Sequence, residues 1–121
     1  MTNAKKILII DDDPAILDSV KAILDSNGYL CFTALNGQDA ISLFNKENPN
    51  VVLCDMMMES IDEGAKIAKV IKTESPDTPV FLLSSIGDAT ANTISPAELG
   101  FNGVFQKPVN FDLLLSVIEK N

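Results

Sequence analysis

The chain's 121 residues make one domain of ordinary size, long enough to bury a core without staples. Lys and Arg number 9 against 17 Asp and Glu, and the net charge of −8 argues against direct DNA binding and against anionic membrane surfaces. The apolar runs fall far short of the about 20 residues needed to span a bilayer, and MTNAKKILIIDDD lacks the long apolar stretch of a signal peptide, so a cytoplasmic location is expected.

Apolar blocks alternate with helical patterns from end to end, which argues for βα units around a parallel sheet covered on both faces. Residues 6–10, KILII, read as the first strand. Asp13-Pro14 then reads as N-cap and first helical residue, followed by Ile16, Leu17, Val20, Ile23 and Leu24 at helical spacing and by Gly28 as the stop. A strand at 30–34, LCFTA, leads to a helix at 37–46 with Ala40, Ile41 and Phe44 inward, and Asn48-Pro49-Asn50 breaks it. Residues 51–54, VVLC, are continuously apolar, as a central parallel strand should be. A third helix is expected from about 63 to 74, with Ala68 and Ile71 in its buried stripe, and the turn Ser75-Pro76-Asp77-Thr78-Pro79 leads into a strand at 80–84, VFLLS. The stretch 86–100 carries Gly87, Asn92 and Pro96, which oppose a long helix and predict a short or irregular fourth one. A strand at 103–106 and a last helix, capped by Asn110 with Phe111, Leu114, Leu115 and Ile118 on one face, complete five βα units. These account for every residue, so a single domain over 1–121 with no second domain is expected. Cys31 and Cys54 fall in different strands and read as buried free thiols.

Charged residues stand where three of the apolar runs stop: Asp11 and Asp12 after KILII, Asp55 after VVLC, and Lys107 after GVFQ. Open α/β sheets place their ligand crevice outside the carboxyl ends of the strands, so these side chains are expected to converge there. Carboxylates packed that closely repel, and a hard divalent cation bound through oxygen relieves the repulsion.

This order of elements and residues resembles the receiver domain of two-component response regulators over essentially the whole chain. The resemblance rests on the acidic pair in KILIIDDDP, the aspartate in NVVLCDMMM, the hydroxyl residue in PVFLLSS and the Lys-Pro in GVFQKPVN. It implies a doubly wound three-layer sandwich with a five-stranded parallel sheet in the order 2-1-3-4-5. It also implies that Asp55 is the phosphoacceptor, that Asp12 binds Mg²⁺ directly and Asp11 mainly through water, and that the main-chain carbonyl of Met57 supplies a further oxygen. Lys107 is then the lysine that pairs with Asp55 and later with the phosphoryl group, Pro108 the proline that aims it, and Ser84 the hydroxyl that bonds a phosphoryl oxygen after transfer. Ser85 leaves room for the phosphate. Asp13 has a better use as N-cap than as ligand. The implied partners are a histidine kinase or phosphotransfer protein and a downstream protein that the sequence does not name.

The pattern departs from the family in two places. Where receivers usually carry Pro and Gly, four and eight residues beyond the phosphoacceptor, this chain has Glu59 and Glu63, with Gly64 one step late and the loop therefore one residue longer. Glu59 reads as a solvated loop residue, and the run Met56-Met57-Met58 as packing, since thioether suits soft metals. Val104 stands where an aromatic is common three residues before the lysine, and Phe105 beside it points to the opposite face. The expected output therefore runs through the loop after Ser84 and the stretch 86–100 rather than through an aromatic rotamer.

The leading reading is a Mg²⁺-dependent phosphoacceptor that changes partner preference and is not a dedicated enzyme. The alternatives are a receiver-fold interaction module that is not phosphorylated, and a phosphohydrolase of the haloacid dehalogenase type that would use Asp11 with Asp13.

Overall fold

The computed structural model describes residues 5–55, 63–84, 101–107 and 109–121. In chain order they form β1 (Lys6–Ile10), α1 (Pro14–Ser26), β2 (Leu30–Ala34), α2 (Gly37–Glu47), β3 (Val51–Asp55), α3 (Glu63–Glu74), β4 (Val80–Ser84), β5 (Gly103–Gln106) and α4 (Phe111–Lys120). The strands make one parallel sheet in the order β2-β1-β3-β4-β5, as expected. The expected irregular helix at 86–100 lies outside the described residues.

Strand alternation divides the core into two layers. Ile7, Ile9, Val51, Leu53, Phe81, Leu83 and Phe105 face α1 and α4, where they meet Leu17, Val20, Leu24, Leu114 and Ile118. Leu8, Ile10, Val52, Cys54, Val80 and Leu82 face α2 and α3, where they meet Ala40, Phe44, Ile67, Ala68 and Ile71. Both faces of β1, β3 and β4 are thus covered, which is why these strands carry no polar alternation. Each fully buried Leu or Ile contributes about 1.5–3 kcal/mol by leaving water. Cys31 and Cys54 belong to opposite layers, are buried and form no disulfide.

The helix boundaries follow from local chemistry. Asp13 caps α1 by accepting the N–H of Ala15 at 2.9 Å, with Pro14 in the first turn. The end of α1 is closed by Gly28 at φ +88°, where the N–H of Tyr29 reaches the Leu24 carbonyl and that of Gly28 the Asp25 carbonyl, both at 3.1 Å. Asn48 ends α2 in the left-handed region at φ 50°, one residue later than the sequence suggests. Asn110 caps α4 through the N–H of Leu113 at 3.1 Å. β3 runs one residue beyond VVLC, so Asp55 is its last residue and sits beside Leu83 of β4.

Asn50 and Asn102 act alike at the other end of the sheet. The side-chain oxygen of Asn50 accepts the N–H of Lys6 at 2.8 Å while its own N–H reaches the Lys6 carbonyl at 2.8 Å. Asn102 does the same to Val80, at 2.9 and 2.6 Å. Each asparagine precedes one strand and clamps the first residue of a neighbouring, earlier strand, joining β3 to β1 and β5 to β4.

Candidate functional site

The carboxyl ends of β1, β3 and β5 bring the predicted charges together. Asp11, Asp12 and Asp55 each offer a carboxylate oxygen, and these oxygens lie within 4.8 Å of one another. The Lys107 ammonium lies 2.8 Å from Asp11 Oδ2 and 3.4 Å from Asp55 Oδ1. Asp11 is fully enclosed at 0% exposure, Asp55 is buried, and Asp12 is exposed. Asp11 is fixed from both sides, since its N–H donates to the Ala34 carbonyl of β2 at 3.1 Å and its Oδ1 accepts the N–H of Asp13 at 2.9 Å. Its Oδ2 takes no hydrogen bond of good geometry among the described residues and meets only the lysine's charge.

Lys107 is aimed by its own backbone, whose N–H donates to the Ser84 carbonyl at 2.7 Å as β5 leaves β4. Burial pulls the ammonium's pKa down. The close contact with Asp11 and the charges of Asp55 and Asp11 push it up more strongly, so the net shift is upward from 10.5 and the group is fully charged at neutral pH. Three carboxylates and one ammonium leave two negative charges at the site. An all-oxygen donor set with a buried oxygen lacking a proper donor suits a hard divalent cation.

Ser84 is buried at the end of β4 beside Gln106 of β5. Met57, Glu59, Ser85 and Pro108 lie outside the described residues. Asp13 is the N-cap that the sequence suggests, and its Oδ1 is taken by Ala15. Val104 is exposed at 38%, whereas Phe105 is buried on the opposite face against Phe81, ring centres 5.5 Å apart.

The sequence matches the response regulator receiver domain family over residues 7–119. The chain belongs to that family. Among relatives of this receiver, ycf27 of Galdieria sulphuraria, a transcriptional regulator by name, is 40% identical over 104 residues, covering 86% of the chain and 40% of that protein. The nitrogen assimilation regulatory protein NtrX of Azorhizobium caulinodans is 30% identical over 118 residues, covering 97% of the chain and 26% of NtrX. The receiver thus spans less than half the length of either relative. The solved structure of a CheY-like receiver domain protein from Methanospirillum hungatei superposes with a TM-score of 0.87 at 29% identity, covering 98% of this chain and 93% of that one. Within the receiver, no helix among the described residues is long and apolar enough to cross a membrane.

Sequence reading found the convergence of the four charges but assigned the lysine to Asp55, whereas its nearer partner is Asp11. Strand order brings the chain ends together; only the three-dimensional path of the side chain decides which carboxylate is closer. The clamps at Asn50 and Asn102 also went unread. Their signal was an asparagine immediately before a strand, in NVVLC and NGVFQ.

Proposed function

We propose that this receiver takes a phosphoryl group onto Asp55 from a histidine kinase or phosphotransfer protein and thereby changes its choice of partner. The observation that supports this most directly is the Lys107 ammonium between buried Asp11 and Asp55 at the rim of the sheet. A structural ion pair needs one carboxylate, whereas three within 4.8 Å around one lysine leave an excess of negative charge that serves no packing purpose. A carboxylate oxygen of Asp55 attacks phosphorus in line. The new O–P bond forms as the P–N bond to the donor imidazole breaks, and the electron pair returns to the ring nitrogen. The chain has no His and so relies on another protein for that donor.

Mg²⁺ would be held by Asp12 and Asp55, with Asp11 nearby and the Met57 carbonyl as the further oxygen, and when bound it offsets charge on the phosphoryl oxygens. Lys107 offers the phosphoryl group a compact point charge. Ser84 supplies the hydroxyl that engages a phosphoryl oxygen after transfer. Turnover is limited to self-phosphorylation and slow loss of the phosphoryl group, so the receiver is a switch and not a dedicated enzyme. DNA contact is assigned to no residue of this chain, and the downstream partner is a protein. The dehalogenase-type reading loses its second aspartate, because Asp13 is committed to capping α1.

The test is incubation with acetyl phosphate and Mg²⁺ followed by intact-mass analysis and peptide mapping. One added phosphoryl group on Asp55, absent from Asp55→Asn, is expected. No mass gain, or a phosphoryl group on another residue, would favour the interaction module that is never phosphorylated.

A further inference from the structure

The two helical layers differ in surface charge. Among the described side chains, α2 and α3 carry Lys46, Lys66, Lys69 and Lys72 against Asp39, Glu47 and Glu74, whereas α1 and α4 carry Lys21 and Lys120 against Asp18, Asp25, Asp112 and Glu119. The α2–α3 face is thus basic on balance among those side chains, in a chain whose net charge is −8. Lys66, Lys69 and Lys72 stand three residues apart, which sets like charges side by side along α3. In the sequence no acid stands three or four residues from Lys69, while on α1 Lys21 meets Asp25 at 2.6 Å. Like charges so placed oppose their own helix, and a chain already carrying −8 does not need them for solubility.

These lysines border a groove. A hollow of about 320 Å³ between α2 and α3 is lined by Ile41, Ile67 and Val70 together with Gln38 and Lys66. A second, of about 250 Å³, continues along α3 from Val70 past Lys69 and Thr73 to Glu74. Val70, shared by both, is 39% exposed. From Lys66 to Glu74 the helix rises about 12 Å, or two turns. An apolar trough of that length fits the apolar stripe of another helix. We propose that this face docks a helical segment of a protein partner, whose apolar stripe covers Val70 and whose flanking acidic residues meet Lys66 and Lys69. Glu74 gives the groove a direction, because the partner's acids then lie toward Lys66 and away from it. The apolar lining and the net charge of −8 favour such a peptide over a nucleic acid. The surface does not involve Asp55 and is available with or without a phosphoryl group there.

The test titrates a synthetic peptide into ¹⁵N-labelled receiver, with neither phosphodonor nor Mg²⁺ present. The peptide is an alanine-based helix with two Leu four residues apart and Glu on either side of them. Amide shifts are expected at Gln38, Ile41, Lys69, Val70 and Thr73, with the amides of α1 and α4 unmoved. On the same parent protein, a peptide with Lys in place of Glu should bind about tenfold more weakly, and one with Ser in place of Leu about threefold or more weakly. Lys66→Glu with Lys69→Glu should weaken the Glu peptide by about tenfold and strengthen the Lys peptide in return. A variant that had merely lost its fold could not show that exchange of preference. Four results overturn the proposal: shifts centred on α1 or α4, no shifts at about 1 mM peptide, equal binding of the Glu and Lys peptides, or equal binding of the Leu and Ser peptides. Each of them leaves the phosphoacceptor reading standing, since no step of the test uses Asp55.

Discussion

The two ends of the sheet handle their polar groups in opposite ways. At the end where the strands begin, Asn50 and Asn102 each pair both a side-chain oxygen and a backbone N–H with the first residue of a neighbouring strand, through neutral bonds of 2.6–2.9 Å. At the end where the strands finish, three carboxylates lie within 4.8 Å of one another and two of them, Asp11 and Asp55, share one lysine. A fully satisfied neutral network adds stability and holds register. A crowded charged one lowers stability through the mutual repulsion of its carboxylates. The same sheet therefore keeps stability and chemistry about a strand's length apart.

Asp12→Ala should break the comparison at the charged end most severely. Mg²⁺ affinity is expected to fall by more than the about 10–100-fold typical of supporting residues around a metal, as read by calorimetry. The urea midpoint of the metal-free protein should hold or rise, because one repelling charge has gone. A drop in that midpoint would mean that the exposed Asp12 is structural.

Asn102→Ala and Asn50→Ala should have the reverse pattern. Each leaves the N–H of Val80 or Lys6 without its acceptor, which costs about 1–3 kcal/mol where the donor stays dry. Equilibrium urea unfolding should show the loss, larger for Asn102 because Val80 is buried, while Mg²⁺ affinity stays within about twofold of the parent. Coupling of either clamp to metal affinity would show that the two ends are not independent.

Gly103→Ala sharpens the same contrast on a smaller scale. A Cβ there would meet Phe81 Cδ1 at 3.1 Å and Cε1 at 3.2 Å, and Phe81 is already packed on Phe105. Forcing that ring to shift should cost about 1 kcal/mol, visible in thermal unfolding and absent from the phosphorylation rate.

The smallest effect concerns the thiols between the two ends. Burial pushes the Cys31 thiol up to about 12, with the charge and hydrogen bond of Asp25 acting in the same direction, so the reactive thiolate is scarce at neutral pH. Native protein treated with iodoacetamide at about pH 8 should leave Cys31 unlabelled until denaturant is added. Labelling should begin only as pH rises toward the raised value, so rapid labelling of the native protein at pH 8 would show that the α1 layer opens.

Much of this was legible in the sequence because the relevant physics is local. The β1, β2, β4 and β5 boundaries, the caps at Asp13 and Asn110 and the stop at Gly28 follow from residue preferences that act within a few positions. Convergence of Asp11, Asp12, Asp55 and Lys107 was legible for a different reason, since parallel strands deliver their last residues to one edge. The preference of Lys107 for Asp11 was not, because it depends on side-chain paths across the top of β3 and β4 that no spacing encodes. The one-residue extensions of α2 and β3 were missed because Asn48 could adopt a left-handed cap and because an aspartate ending a buried strand looks like a loop residue.

The route by which Lys107 reaches Asp11 also bears on the order of assembly during synthesis. The acidic residues after β1 and at the end of β3 are translated before the lysine that follows β5, the edge strand of the sheet. Until β5 docks beside β4, the lysine that contacts Asp11 and Asp55 is not in place. Docking of this edge strand therefore completes the charge balance of the sheet's carboxyl edge as well as its hydrogen bonding, so a change that weakens the pairing of β4 with β5 should also loosen the lysine's hold on Asp11.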